Sequence, residues 1–377
     1  MEDEKKTDEI KSDMSGKSAD KVAEKKRRKK LAKQIIMPIL GVLIFIFLLN
    51  IVILPLTGSS ARVGSVDSYN GDNQYIAIGT QKGTLLSAHR AGGDLYPEET
   101  LSAFKNCMEN TNAKVDIVEF DLHLTKDGHL VLMHDHEVDR TSDGPIVFGQ
   151  KGVKIQDKTL EQLQQLNFGY NFQDENGDYI YRDKDDDELT DVRILTLDTI
   201  LTYLAKQRPD GDLNYIIEIK DKGKVGKEAM DKLYRAMVKY DILEKTIVGT
   251  FNADISKYID EFYRDKGVKR SAGIMEVLNF YYAFLWGVKQ NPDKLNYDVL
   301  QIPMGLDGFF DMSTKAFIDY AHSLGIAVQY WTINKESDMR TLYANGADAI
   351  MTDNPELARK VLEEMNADGS IRFGRQE

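Results

Sequence analysis

Beyond Gly83 the chain alternates short apolar runs with longer stretches whose apolar positions recur at helical spacing, the pattern of βα repeats and a parallel sheet. The runs predict strands at Thr84–Ala88, Asp116–Asp121, Leu130–His134, Tyr215–Ile219, Thr246–Thr250, Ser271–Met275, Val299–Ile302, Ala327–Ile333 and Ala349–Met351. That is one strand more than an eight-stranded barrel requires. The tight turn Thr125-Lys126-Asp127-Gly128 resolves the excess. Parallel neighbours need a crossover of about a dozen residues or more, so Leu130–His134 must run back antiparallel to the strand before it. His134 then returns to the same end as Glu119 and Asp121. The predicted fold is an α/β barrel of the (β/α)8 type over residues 84–366, with a small insertion at about 141–193.

Within the insertion, Thr159-Leu160-Glu161-Gln162 predicts a capping box opening a short helix through Leu166. The acidic run Asp174–Glu188 invites comparison with a calcium loop. An EF-hand beginning at Asp174 would need Gly where Tyr179 stands and Glu where Asp185 stands, so the run reads as a solvated loop.

The polar pattern breaks ahead of the barrel. Ile35 to Leu56 holds no charged residue, and at helical rise it is long enough to cross a hydrocarbon core of about 30 Å. One transmembrane helix is predicted over residues 35–56. A cleaved signal peptide is the alternative; the length of the apolar run and the lack of a clear small-x-small pattern before Arg62 argue against it. Residues 1–34 carry a net charge of +4 and a basic run from Lys25 to Lys30, which places this tail in the cytoplasm and the barrel outside it. The tail is rich in Glu, Lys, Ser and Asp and is expected to be disordered. Residues 57–83 form a linker with Gly58-Ser59-Ser60 and Asn70-Gly71-Asp72-Asn73; as a coil its ends would lie on the order of 29 Å apart. Tyr75-Ile76-Ala77-Ile78 is expected to add a short strand that plugs the barrel floor. Residues 367–377 are read as a C-terminal tail.

The whole chain carries −12, and removing the tail's +4 leaves −16 for the rest. So acidic a globule does not hold a phosphate backbone, and nucleic acid is excluded as a partner. The single cysteine, Cys107, cannot form an intramolecular disulfide, and its place in Leu101-Ser-Ala-Phe-Lys-Asn-Cys-Met reads as a helix packing face. An exported domain without disulfides fits a bacterial cell surface.

Candidate chemistry gathers where strands end. Glu119 and Asp121 are two apart, so both side chains leave one face of a strand and can share one cation. Glu218 stands at the corresponding end of a later strand and can close an all-oxygen site, suited to Mg²⁺ or Ca²⁺. The plainer reading makes each acid a salt-bridged rim residue. His89 and His134 follow strands, and two histidines at the same rim as a carboxylate triad suggest a metal-assisted acid/base site. Arg90 offers a planar donor fork and Lys220 a second positive charge to an anionic group. Asp353 reads equally as an orienter of a rim group and as a helix cap. Trp331 is either a core aromatic or a wall for the substrate. The aromatic segment 280–286 is read first as a core helix and second as a surface for lipid acyl chains.

These residues fall in a fixed order: His89-Arg90, Pro97-Glu98-Glu99-Thr100, Glu119-Phe120-Asp121, Lys126-Asp127-Gly128 and His134-Asp135. They continue through Ile217-Glu218-Ile219-Lys220, Gln329-Tyr330-Trp331-Thr332-Ile333-Asn334 and Gly346-Ala347-Asp348-Ala349-Ile350-Met351-Thr352-Asp353. The set resembles the glycerophosphodiester phosphodiesterase family, whose pattern runs His-Arg-Gly, Pro-Glu-Asn-Thr, Glu-x-Asp and a later His-Asp. The resemblance implies an acid/base pair at His89 and His134, phosphate held by Arg90 and Lys220, and one divalent cation on Glu119, Asp121 and Glu218. It places Glu98 at or beside that cation and a small insertion where this chain has one. The departures are Ala91 for the Gly and Glu99 for the Asn. The expected activity is hydrolysis of glycerophosphodiesters to an alcohol and sn-glycerol 3-phosphate, by direct water attack or through a glycerol hydroxyl and a cyclic phosphate. The alternatives are a lysophospholipase D, a teichoic-acid (polyglycerol phosphate) hydrolase, and a non-catalytic phosphate-binding scaffold.

Overall fold

The computed structural model describes residues 63–77, 83–306 and 310–367, together with Gly41, Ile44, Phe45 and Leu48. The chain divides into two units at Ser60, and the fold below is that of the second. The predicted span 35–56 lies outside the described residues save for those four. Among the described residues no helix is long and apolar enough to cross a membrane.

The strands are β1 Leu85–Ala88, β2 Ile117–Leu124, β3 Leu130–Leu132, β4 Asn214–Ile219, β5 Thr246–Gly249, β6 Lys269–Arg270, β7 Val299–Ile302, β8 Gly305–Leu306, β9 Phe310–Asp311, β10 Ala327–Tyr330 and β11 Ala349–Thr352. Eight of them form one sheet in the order β6-β5-β4-β2-β1-β11-β10-β7. Neighbours on this path are parallel, and a parallel bridge between Ser271 and Val299 draws the two edges together into a nearly closed (β/α)8 barrel. The ninth expected strand is β3, which pairs antiparallel with β2 through Leu122↔Leu132 and Leu124↔Leu130. Short β8 and β9 make a separate hairpin.

One strand is displaced from its sequence reading. The run expected at Ser271–Met275 is a helix from Ile274, and the barrel strand lies just before it at Lys269–Arg270. A Lys-Arg pair does not look like a buried strand. It becomes one because the fully buried Arg270 guanidinium is held by Asp260 at 2.6 and 2.8 Å and by Glu276 at 2.7 and 2.8 Å, which removes the cost of burying an unpaired charge.

The main core lies between the strands and the outer helices. The helix Ile274–Leu285 buries Phe280 and Phe284 against Phe317 and Tyr320, so the core reading holds for that face of the aromatic segment. The insertion has its own small core, in which Val138, Ile155, Leu163 and Leu166 pack with Val131 and Met133. Its capping box at Thr159 and Gln162 forms as predicted, although the helix ends at Leu163. The acidic run opens as a turn in which Asp174 Oδ1 accepts the N–H groups of Asn176 and Asp178, both at 2.9 Å.

The barrel floor is plugged from upstream, by a turn and not by the expected strand. Tyr75 and Ile76 are buried against Ile117, Ile216, Ile247, Val299, Ala327 and Ala349, residues at the entry ends of the strands. Asn73 Nδ2 donates to the carbonyls of Asp298 and Gly325 at 2.7 and 2.9 Å, and the Ala77 N–H donates to Asp348 Oδ1 at 2.7 Å. A turn serves because the floor offers strand ends and loop carbonyls in place of an open ladder. Ile78 lies outside the described residues. Ile76→Ala is expected to lower unfolding free energy by roughly 2–4 kcal/mol, since the floor cannot collapse onto the void. Denaturant unfolding measures this, and a loss under about 0.5 kcal/mol would show that the plug is not part of the core.

Candidate active site

Parallel strands deliver their C-terminal ends to one face, opposite the floor. On β2 the two-residue period sends Glu119 and Asp121 to the barrel interior, and the register Asp121↔Glu218 sets the third acid beside them. The three carboxylates, His89, Arg90, His134, Lys220 and Trp331 line a single cleft of about 600 Å³. β3 and the turn behind it bring His134 there, as the antiparallel reading required.

The acids are crowded. Burial first, and then the Asp121 carboxylate, push Glu119 up to about 8 and Glu218 up to about 7. Glu119 Oε2 accepts the Arg90 N–H at 2.7 Å. Both oxygens of Asp121 are buried without a hydrogen-bond partner among the described residues; Lys220 Nζ stands 3.3 Å from one and Arg90 Nε 3.8 Å from the other. Lys220 Nζ also meets Glu218 Oε1 at 3.1 Å. Three crowded, mutually repelling carboxylates, with both Asp121 oxygens lacking a hydrogen-bond donor among the described residues, fit a hard divalent cation with all-oxygen ligands. Glu119, Asp121 and Glu218 are the residues to hold it.

His89 is fixed from behind. Its Nδ1 is 2.5 Å from Asp353 Oδ1, and Asp353 Oδ2 accepts Asn334 Nδ2 at 2.7 Å, leaving Nε2 for the cleft. Burial alone would lower the imidazolium's pKa, but the Asp353 hydrogen bond and the Glu119 charge outweigh it and raise the value above 6.5. Asp353 is thus the orienter; the cap on the following helix is Asn354, whose Oδ1 accepts the Leu357 N–H at 3.0 Å. His134 Nδ1 lies 2.8 Å from Asp135 Oδ1, and Arg140 Nε donates to Asp135 Oδ2 at 2.6 Å.

Glu98 does not line the cleft. Both of its oxygens are taken by Arg140, at 2.6 and 2.9 Å, and Arg90 Nη1 adds a contact at 3.2 Å. It braces Arg90 from outside. Its neighbour Glu99 is the buried one: Oε1 accepts the Asp121 N–H at 2.5 Å, and burial followed by the Asp121 and Glu98 charges raises its pKa well above 4.5. Arg90, Ala91 and Glu99 all have positive φ, at 48°, 62° and 57°. The left-handed turn at Arg90 aims its N–H at Glu119, and Ala91 adopts without glycine the conformation that glycine adopts freely. Cys107 packs behind this loop, donating to the Ala91 carbonyl at 3.1 Å, with its thiol pushed up to about 12 by burial. It is no nucleophile.

Sequence reasoning missed Glu99 as a buried acid and Phe251 as a wall. Phe251 is half exposed beside Trp331, ring centroids 5.9 Å apart and nearly perpendicular. Its only sequence signal is its place just after β5, where loops face the cleft. Trp331 meets both of its readings in part: it lines the cleft and an adjoining apolar trough, and it packs against the buried cluster at the barrel floor.

Comparison with known proteins agrees with this geometry. The chain is 28% identical over 276 residues to a glycerophosphodiester phosphodiesterase of Caldanaerobacter subterraneus, covering 72% of this chain and 95% of the relative. It is 26% identical over 294 residues to one of Bacillus subtilis, covering 74% and 89%. A glycerophosphoryl diester phosphodiesterase structure from Silicibacter pomeroyi superposes with a TM-score of 0.58 at 19% identity, covering 77% of this chain and 97% of that one. A phosphodiesterase of Oleispira antarctica, solved with its product sn-glycerol-3-phosphate, does so with a TM-score of 0.55 at 20% identity, covering 74% and 97%. Residues 89–357 match the Glycerophosphoryl diester phosphodiesterase family, from the first histidine of the cleft into the last helix of the barrel, and the chain belongs to that family of hydrolases.

Proposed function

We propose that this protein hydrolyses glycerophosphodiesters to an alcohol and sn-glycerol 3-phosphate, with one divalent cation, Mg²⁺ or Ca²⁺, on Glu119, Asp121 and Glu218. The observation that carries the reading is the convergence of two histidines, each backed by a carboxylate, on the cleft that holds the three acids, Arg90 and Lys220. When bound, the cation polarises a phosphoryl oxygen as a Lewis acid. Arg90 and Lys220 are set to hold the remaining phosphoryl charge. One imidazole takes the proton of the attacking hydroxyl, the bond from phosphorus to the alcohol oxygen breaks, and the other imidazole protonates that oxygen. The two histidines serve equally for attack by water and for attack by the substrate's own glycerol hydroxyl. The basic tail and the apolar run at 35–56 support a protein tethered to a bacterial membrane with the barrel outside the cytoplasm.

The second reading, a lysophospholipase D, is favoured by one observation. An apolar trough of about 730 Å³, lined by Ile274, Val277, Tyr281 and Phe310, shares Phe251, Gln301 and Trp331 with the cleft. A chain leaving the glycerol would lie there, and each buried methylene contributes about 0.8 kcal/mol.

Product analysis on glycerophosphocholine, a lysophosphatidylcholine and polyglycerol phosphate, with chelation and metal add-back, tests both readings. Glycerol 3-phosphate and free alcohol are expected from glycerophosphocholine; release of phosphocholine instead would overturn the assignment. If the trough holds an acyl chain, Val277→Asp lowers lysolipid hydrolysis at least about tenfold, the worth of two methylenes, and leaves glycerophosphocholine turnover unchanged. An equal effect on both substrates would end the lysolipid reading.

A further inference from the structure

Beyond Asp121, the same face of β2 carries His123, which lies outside the cleft lining. Its Nδ1 is 2.8 Å from Asp221 Oδ1, on the residue after Lys220. His136, two residues beyond His134, closes the group: its Nδ1 is 4.0 Å from the same oxygen, and the two imidazole rings stand 4.7 Å apart between centroids. One donor atom from each of the three residues lies within 4.8 Å of the others. We propose that His123, His136 and Asp221 form a second metal site, for zinc or a neighbouring first-row dication, separate in chemistry from the all-oxygen set.

The donor set supports this. Two imidazoles and one carboxylate match zinc and its neighbours, whereas Mg²⁺ and Ca²⁺ prefer oxygen alone. Donors at zinc bond lengths lie about 3.3 Å apart at tetrahedral angles, and the separations of 2.8 and 4.0 Å bracket that value. The surrounding hydrogen bonds also fit. Asp221 Oδ2 accepts the Leu124 N–H at 2.7 Å, which turns Oδ1 towards both rings. His123 Nε2 lies 3.4 Å from the His134 carbonyl oxygen. An imidazole that binds metal through one nitrogen characteristically donates its other N–H to such a carbonyl, so Nδ1 is the metal donor and Nε2–H the tether. Lys220 and Lys222 are the nearby cations that act on His136, and Lys220 is itself spent on Asp121 and Glu218. His123 and Asp221 are buried and His136 is exposed, which leaves a fourth position open to water. A metal there ties the segment carrying His134 to β2 and to the end of β4.

Cobalt(II) titration of the full-length protein, with Mg²⁺ in saturating excess to fill the carboxylate set, decides the matter. One equivalent of Co²⁺ should give the intense visible absorption of a low-coordinate ion, and Zn²⁺ should abolish it by displacement. His136→Ala is safe for folding because the side chain is exposed, and it should weaken binding on the order of 100-fold or more, at least the cost of losing a supporting partner. His136→Cys should restore the absorption, and Glu119→Gln should leave it in place. Absence of the band, its persistence in His136→Ala, or its loss in Glu119→Gln would each overturn the site.

Discussion

Glu119→Gln is expected to leave the barrel folded and to lower phosphodiester hydrolysis on the order of 10³-fold, because it removes one of the carboxylates proposed to hold the cation, whose charge would supply several kcal/mol of transition-state stabilisation. The amide keeps an oxygen for the Arg90 N–H and keeps the shape, so the charge alone is lost. Chelation of the native protein should match this loss. A second readout comes from linkage. Without a cation, Glu119 and Glu218 titrate at about 8 and about 7, above the ordinary 4.5. A carboxyl with a raised native pKa binds protons more tightly in the folded state. Its contribution is therefore fully present below about 4.5 and is lost as pH rises through about 8. The chelated protein should melt at progressively lower temperature across that window, and Mg²⁺ or Ca²⁺ should raise the melting temperature more at the alkaline end than at the acid end. Full activity after exhaustive chelation, or a melting temperature indifferent to the cation at pH 8.5, would refute the carboxylate site.

The histidines should divide the reaction unequally between leaving groups. An aryl diester releases a weakly basic oxygen that needs no proton, so replacing the acid costs on the order of 10²–10⁴ with an alkyl diester and far less with the aryl one. Replacing the base hurts both alike. We assign the base to His89, since Asp353 and Glu119 favour the imidazolium it becomes, and the acid to His134. The acid limb of the His89-dependent rate should then lie above the ordinary 6.5, because the base works neutral and its pKa is raised. Asp353→Asn should move that limb to lower pH. Kinetics of His89→Ala and His134→Ala on both substrates test the order. Aryl rescue of His89→Ala alone would exchange the roles, and rescue of neither would remove the division.

Much of this cleft was legible in the chain because a parallel barrel exports its chemistry at strand ends, and strand ends show in sequence. Glu119 and Asp121 obey the two-residue period, and the turn at Thr125–Gly128 forces the reversal that returns His134. What escaped was set by tertiary pairing. Lys269-Arg270 is a strand only because Asp260 and Glu276 neutralise the buried guanidinium. Glu98 and Glu99 are adjacent and chemically alike, yet one is clamped by arginines at the cleft's outer side and the other is sealed behind Asp121. Asp353 had two local readings, and a partner 264 positions away chose between them. Nothing local in the sequence announces that His123 on β2 meets Asp221 and His136.

The floor plug bears on how the barrel can be cut out or transplanted. A fragment begun at Thr84, where the strand and helix repeat starts, would lose Tyr75 and Ile76 and bare Ile117, Ile216, Ile247 and Val299 to water. Such a contiguous apolar face is an aggregation surface. The smallest portable unit of this enzyme therefore begins upstream of its own repeat, and a fusion or domain exchange must carry the residues from Tyr69, which packs on the same floor cluster and accepts the Asn73 N–H, onward to keep that face covered.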